Sequence, residues 1–254
     1  MCLITFAERD HPKYSLILAA NRDEFYNRPT RKAQFWIEEG YPNILAGKDL
    51  EAGGTWMGIH KNKKWAALTN YRDPSQLKIN APSRGDLVLD FLKSEQSAQE
   101  FIAKVQNKSS LYNGFNILLG DAEGILHFSN HNNTITSVTT GVHGLSNALL
   151  DTPWPKLELA KSGLKQIIKS NQVEPNRLFD ILKDDTKAED SKLPQTGIPS
   201  HLEKAISSIF IKTEGYGTRC STLLLIHKNG TIEFIERRYK PASHEILDEQ
   251  YFKF

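Results

Sequence analysis

The 254-residue sequence has only two cysteines, Cys2 and Cys220, so no disulfide lattice staples it, and no set of CxxC or Cys/His knuckles offers a structural zinc site. Long apolar runs are missing. Leu16 to Ala20 and Leu223 to Ile226 are among the longest, far short of the ~20 residues needed to cross a bilayer. Charge of one sign does not dominate either. The 32 Lys plus Arg stand against 30 Asp plus Glu, a net +2 spread along the chain, which argues against a nucleic-acid partner and leaves no acidic tail. The N-terminus lacks a basic segment ahead of an apolar core and reaches Glu8 and Asp10 at once. The expectation is a cytoplasmic chain with no signal peptide and no integral membrane association. No internal repeat or low-complexity segment marks a second domain. What is present is 39% apolar sequence, consistent with a single domain over residues 1–254. A chain of this length buries roughly 70–75% of the surface it exposes when unfolded.

Periodicity orders the chain. Cys2 to Phe6 and Tyr14 to Asn21 read as strands around the turn-favouring Glu8-Arg9-Asp10-His11-Pro12. Thr55 to His60 and Trp65 to Asn70 form a second hairpin around Lys61-Asn62-Lys63-Lys64. From Ser83 the spacing turns helical, and Ser97-x-x-Glu100 opens a second helix with a capping box. Strands return at Phe115 to Leu119, Ile125 to Ser129, Thr134 to Thr139 and His143 to Asn147. Helices are expected over Trp154 to Ser170, Pro175 to Lys183 and His201 to Ile209, with a surface loop over Asp184 to Pro199. A last hairpin, Ser221 to His227 and Thr231 to Tyr239, turns at Asn229-Gly230. Hairpins without βαβ alternation argue against a doubly wound parallel fold and favour two antiparallel sheets with helices outside.

The position of Cys2 carries chemistry. Once the initiator Met is removed, it holds a thiol and a free α-amine on one skeleton. The amine, with a reference pKa of about 7.7–8.0, can exchange a proton near neutrality, and the thiol at about 8.5 needs little help to ionise. One residue then supplies nucleophile and base. The plainer alternative is a cysteine that merely begins a buried strand. Asn21-Arg22-Asp23-Glu24 ends the strand expected to pair with Cys2, so the hairpin brings these polar residues beside it. Alternation puts Asn21 and Asp23 on one strand face, and Arg22 and Glu24 on the other. An exposed strand end with a local ion pair is the alternative here.

These residues carry a resemblance. Met1-Cys2-Leu3-Ile4, Ala19-Ala20-Asn21-Arg22-Asp23-Glu24-Phe25 with Arg28-Pro29, Gly53-Gly54-Thr55-Trp56-Met57-Gly58, Leu68-Thr69-Asn70-Tyr71-Arg72, His143-Gly144-Leu145-Ser146-Asn147 and Tyr216-Gly217-Thr218-Arg219-Cys220-Ser221-Thr222 resemble the NRDE family. Its animal members are called transport and Golgi organization protein 2. The family is similar to N-terminal nucleophile (Ntn) hydrolases, which implies an α+β fold, a four-layer αββα sandwich of two antiparallel sheets. The similar penicillin V acylase and bile-salt hydrolase group implies the site. By motif, Cys2 is the nucleophile, Arg22 favours the thiolate, and Asp23 holds the α-ammonium. Asn70 and Asn147 position substrate and bind a developing oxyanion, and Arg219 completes the charge set. The sequence departs in one respect: Arg22 and Asp23 are adjacent, whereas those hydrolases separate the pair by two residues.

The resemblance implies a hydrolase acting on an amide or a thioester of a small amphipathic acyl substrate, with no cofactor required. Its alternative is a non-catalytic protein that binds and traffics haem or lipid and acyl-CoA, with haem as the bound ligand. Both expect a small-molecule partner, no nucleic acid and no metal. Other features attract plainer readings. His127 and His131 read as solvated polar positions, and Cys220 as a small core residue. Gly215-x-Gly217 lacks the third glycine of a dinucleotide fingerprint.

Overall fold

The computed structural model describes residues 2–254, with Cys2 described through its backbone alone. In chain order the elements are β1 (Cys2–Glu8), β2 (Tyr14–Phe25), β3 (Thr30–Trp36), β4 (Tyr41–Asp49), β5 (Met57–His60), β6 (Trp65–Asn70), α1 (Gly85–Lys93) and α2 (Ala98–Lys108). There follow β7 (Phe115–Gly120), β8 (Ile125–Ser129), β9 (Thr134–Ser137), β10 (Gly141–Leu145), α3 (Pro155–Ser170), α4 (Pro175–Leu182), α5 (Ser200–Ala205), β11 (Tyr216–His227), β12 (Ile232–Tyr239) and β13 (Ile246–Lys253). They form two compact units, Met1–Asn27 with Thr139–Ser146 and Leu150–Phe254, and Arg28–Val138 with Asn147–Leu149.

The first unit is an antiparallel sheet ordered β10-β1-β2-β11-β12-β13. Its odd-numbered side chains, Leu3, Ala7, Ile17, Ala19, Leu223, Leu225 and Ile235, pack with α3 and α4 in one buried cluster. On α3 the buried residues Leu157, Ala160, Leu164 and Ile167 recur at helical spacing, and this single stripe seats the helix. Ile4, Phe6, Leu18, Leu224 and Phe234, on the opposite face of the sheet, are buried too. Burial on both faces explains why β2 reads as a continuous apolar run before Asn21.

The second unit is a meander in strict chain order, β3 through β9, with α1 and α2 inserted between β6 and β7. Leu87, Val88, Phe91 and Leu92 of α1 and Phe101, Ile102 and Val105 of α2 cover Ala66, Leu68, Phe115, Ile117 and Leu119. Ser97 caps α2 with the expected reciprocal bonds to Glu100. In the Gly-Gly-Thr-Trp segment Gly54 serves packing, since a Cβ there would lie 2.6 Å from the Gly85 carbonyl carbon at the start of α1, and Gly53 serves the turn with φ +81°.

Three strands, β3, β4 and β13, were not expected from periodicity. The helix expected over His201 to Ile209 stops at Ala205. Beyond it, residues 206–211 form a buried non-helical strap, and its backbone is used at the end of the first sheet.

Candidate active site

The β1–β2 hairpin sets the register from which the candidate site is built. The Cα of Cys2 is paired with that of Arg22, and Leu3 with Asn21. The strand does not end at the polar run: β2 continues through Phe25, and Asn21, Arg22 and Asp23 are all buried. An exposed strand end is therefore excluded. Alternation holds as expected. Arg22 lies 3.9 Å from Glu24, two residues along on its own face, and Asn21 and Asp23 share the helix-covered face.

Buried polar side chains require partners, and Asn21 has a full set. Its amide donates to the carbonyls of Leu182 and Ile209, each at 2.9 Å, and accepts from the Ser221 hydroxyl at 2.6 Å. Asn21 thereby clamps the strap and the end of α4 to the sheet.

Opposite, β11 carries a bulge. Arg22 pairs with Cys220 and Asp23 with Thr218, which leaves Arg219 as the extra residue. Arg219 donates to the Phe25 carbonyl at 2.7 Å. Burial and the neighbouring Arg22 charge hold its guanidinium below the usual arginine value. Asp23 accepts a 2.6 Å hydrogen bond from the Thr218 hydroxyl. Burial pushes its carboxyl above the ordinary range, opposed by the charge of Lys156 and the Thr218 bond. Lys156, in the first turn of α3, is only 4% exposed and donates to the Ile206 carbonyl of the strap at 3.3 Å. Sequence reasoning missed Thr218 and Lys156, because nothing local marks a helix lysine as buried. The two cysteines flank Arg22 on either side, two strand spacings apart or about 9.5 Å, outside the Cα separation that a disulfide spans.

Asn70 and Asn147 belong to the second unit, where the structure joins them. The Asn147 amide donates to the Asn70 carbonyl at 2.9 Å, and the Arg72 N–H to the Asn147 carbonyl at 2.8 Å. Next to them, Asn116 is fully buried, and its amide donates to the Ala148 carbonyl at 2.9 Å and to Thr69 Oγ1 at 3.2 Å. His127 Nε2 lies 3.3 Å from Asn116 Oδ1, so Nε2 carries the proton of this bond. The expectation that His127 is solvated is thus corrected. It is 4% exposed and orders the amide that holds the Asn147 segment. His131 is exposed and stacks on Tyr71 at 3.9 Å.

The His143-Gly144-Leu145-Ser146-Asn147 run begins with a second ordered histidine. His143 Nδ1 lies 2.7 Å from Asp151 and Nε2 lies 2.9 Å from the Thr139 carbonyl. Both partners only accept, so both ring nitrogens donate and the ring is an imidazolium. The bond to Asp151 raises the His143 pKa. Burial pushes Asp151 up, but His143, Lys161 and the Gly144 N–H outweigh it and hold the carboxyl at about 2. The signs follow from linkage. His143 stabilises the fold fully below its unfolded pKa of about 6.5, and this is lost as pH rises through the folded value. Asp151 stabilises above about 3.9, and this is lost as pH falls toward its folded value. Thermal unfolding midpoints are therefore expected to fall from pH 6 to pH 8, and to fall less in His143→Gln. Identical slopes in the two proteins would refute this role of the His143–Asp151 pair.

Among the described residues, no group of three or more His, Cys, Asp or Glu side chains could hold a metal ion. None of their helices is long and apolar enough to cross a membrane.

With the geometry in hand, comparison assigns the family. Residues 1–241 match the family model described as Transport and Golgi organisation 2. The chain belongs to this family. The human Transport and Golgi organization protein 2 homolog is 39% identical over 267 residues, covering 96% of this chain and 96% of that protein. The mouse homolog is 37% identical over 262 residues, covering 93% and 92%. The Drosophila melanogaster protein is 27% identical over 261 residues, covering 93% and 91%. Among solved structures, a mutant conjugated bile acid hydrolase from Clostridium perfringens superposes with TM-score 0.56 at 10% identity, covering 100% of this chain and 97% of that one. The Caenorhabditis elegans N-acylethanolamine-hydrolyzing acid amidase ortholog gives 0.52 at 11%, covering 88% and 92%. At such identities the likeness shows the fold alone. That fold is the Ntn-hydrolase one, and the Transport and Golgi organisation 2 chain realises it as an α+β protein with two antiparallel sheets.

Proposed function

We propose that this chain is an N-terminal cysteine hydrolase that cleaves an amide or thioester of a small amphipathic acyl substrate. The observation that carries the reading is the register of the first hairpin, in which the Cα of Cys2 pairs with that of Arg22, a buried cation next to the buried carboxylate of Asp23. A guanidinium beside a thiol lowers the cost of the thiolate. A buried carboxylate beside an α-amine favours its ammonium form. In this reading Arg22 activates Cys2 and Asp23 orients its amine. Asn70 and Asn147 keep the oxyanion-binding role that the resemblance implies, and Arg219 contributes charge. The two fold neighbours are described as acting on N-acylethanolamines and conjugated bile acids, and acyl amides are accordingly the first substrates to try.

The test begins with intact mass and with condensation by 2-cyanobenzothiazole, which requires a free 1,2-aminothiol. Mature protein is expected to lack Met1 and to take one equivalent of the reagent at Cys2. A retained Met1, or a Cys2 thiol no more reactive to iodoacetamide than Cys220, would refute the nucleophile. Titration with haem addresses the carrier alternative: a saturable Soret shift that survives Cys2→Ala would support binding without turnover.

A further inference from the structure

The bulge at Arg219 decides which side chain meets Asp23. Arg22 pairs with Cys220, and uninterrupted antiparallel pairing would set Arg219 opposite Asp23. The extra residue moves Thr218 there instead, so the buried carboxylate meets a hydroxyl rather than a guanidinium. The hydroxyl has no rotational choice. Thr218 Oγ1 accepts the Ile211 N–H at 2.9 Å, and its single proton is thereby directed to Asp23 Oδ1 at 2.6 Å. The strand is held in this place from both sides. Thr218 N–H donates to the Ile211 carbonyl at 2.9 Å, and Tyr216 Oη donates to the Asp23 carbonyl at 3.1 Å. Gly217 permits the approach, since a Cβ there would lie 2.4 Å from the Ile211 oxygen and 2.2 Å from Tyr26 Oη.

We propose that Thr218 is a positioning residue: placed by the Arg219 bulge and fixed by the strap at Ile211, it holds the Asp23 carboxylate ionised and oriented for the N-terminal amine. The proposal rests on the reading of Cys2 as an N-terminal nucleophile. Its physical content is a comparison of two partners. An arginine opposite Asp23 would neutralise the carboxylate by a direct ion pair and leave little of its charge for the amine. A hydroxyl stabilises the charged form with one hydrogen bond and leaves the negative charge in place. Among the described side chains, Lys156 of α3 favours the carboxylate and Glu24 of β2 opposes it. Neither can replace the orientation that a single directed O–H bond provides.

The experiment follows the Asp23 carboxyl carbon by NMR through a pH titration of the full chain, in wild type, Thr218→Val and Thr218→Ser. Loss of a hydrogen bond to the charged form should raise the apparent Asp23 pKa by about one unit or more in Thr218→Val, and Thr218→Ser should restore the wild-type value. The apparent pKa of the α-amine, read from the pH dependence of N-terminal acetylation, should fall in Thr218→Val and not in Thr218→Ser. An unchanged Asp23 pKa overturns the proposal, and so does an Asp23 shift that leaves the amine unmoved. Thr218→Ala carries the same expectations and decides the matter if the valine variant does not fold. Failure of wild-type protein to condense with 2-cyanobenzothiazole would overturn the Cys2 reading instead, and the Asp23 titration would still decide what Thr218 does to the carboxylate.

Discussion

Under the proposed function, Cys2→Ala is expected to abolish hydrolysis of acyl amides and acyl thioesters, by up to about 10⁶-fold in kcat where the nucleophile is indispensable. The reason is specific to the residue. A free cysteine at neutral pH is a few per cent thiolate, and in the proposed reading the Arg22 cation enlarges that fraction. Alanine leaves neither thiolate nor a site for the acyl intermediate. Cys220→Ala is the control, because Cys220 sits 3% exposed between the positions of Arg22 and Arg238 and makes a small packing contribution. Its turnover should stay within a few-fold of wild type. Arg22→Gln should fall between the two and displace the alkaline shift of iodoacetamide labelling at Cys2 to higher pH, since the cation that favours the thiolate is gone. Assay requires a panel of acyl amides and acyl thioesters, followed by release of the amine or thiol. Turnover by Cys2→Ala equal to that of wild type would remove Cys2 from the chemistry.

The fold was largely legible because local signals agreed with tertiary demands. Trp65 to Asn70 and Ile125 to Ser129 form strands with the expected bounds, and the Ser97 capping box starts α2 where the motif puts it. Two of the three missed strands have identifiable causes. β13 is an edge strand whose residues are half-buried or exposed, and its Asp248 and Glu249 pair with Arg238 and Arg237, so no apolar alternation marks it. In β4, Pro42 near the start demotes the run that follows. The helix expected to reach Ile209 stops early because the backbone of 206–211 has other partners: Lys156, Asn21 and Thr218 all bond to it. Those bonds join residues distant in sequence, and no local pattern encodes them.

The candidate site was legible by motif but not by environment. Asn21-Arg22-Asp23-Glu24 looks like a solvated strand end, and only the bulge and the strap show how Asn21 and Asp23 are buried with partners. His127 misleads for a related reason. It alternates with the core residues Leu126 and Phe128 on β8, but its own face meets the buried amide of Asn116, whose partners are Thr69, Ala148 and His127. Alternation separates polar from apolar faces and cannot tell a wet polar face from a dry one.

That dry network bears on the second large effect. Asn147→Ala is expected to lower kcat by about 10²–10³-fold, the usual loss when one oxyanion donor is removed. The Asn147 amide donates to the Asn70 carbonyl, so the substitution also removes a bond within the second unit. Stability should fall as well, by about 1–3 kcal/mol, because the Asn70 carbonyl loses one partner in a half-buried setting. Asn116→Ala separates the two effects. It removes the bond to Ala148 and leaves the Asn147 amide intact, so it should destabilise the fold while lowering kcat less than Asn147→Ala does. Measuring kcat and the unfolding midpoint on the same preparations decides the matter. If Asn147→Ala and Asn116→Ala lose activity in proportion to stability, Asn147 is a structural amide and the oxyanion donor lies elsewhere.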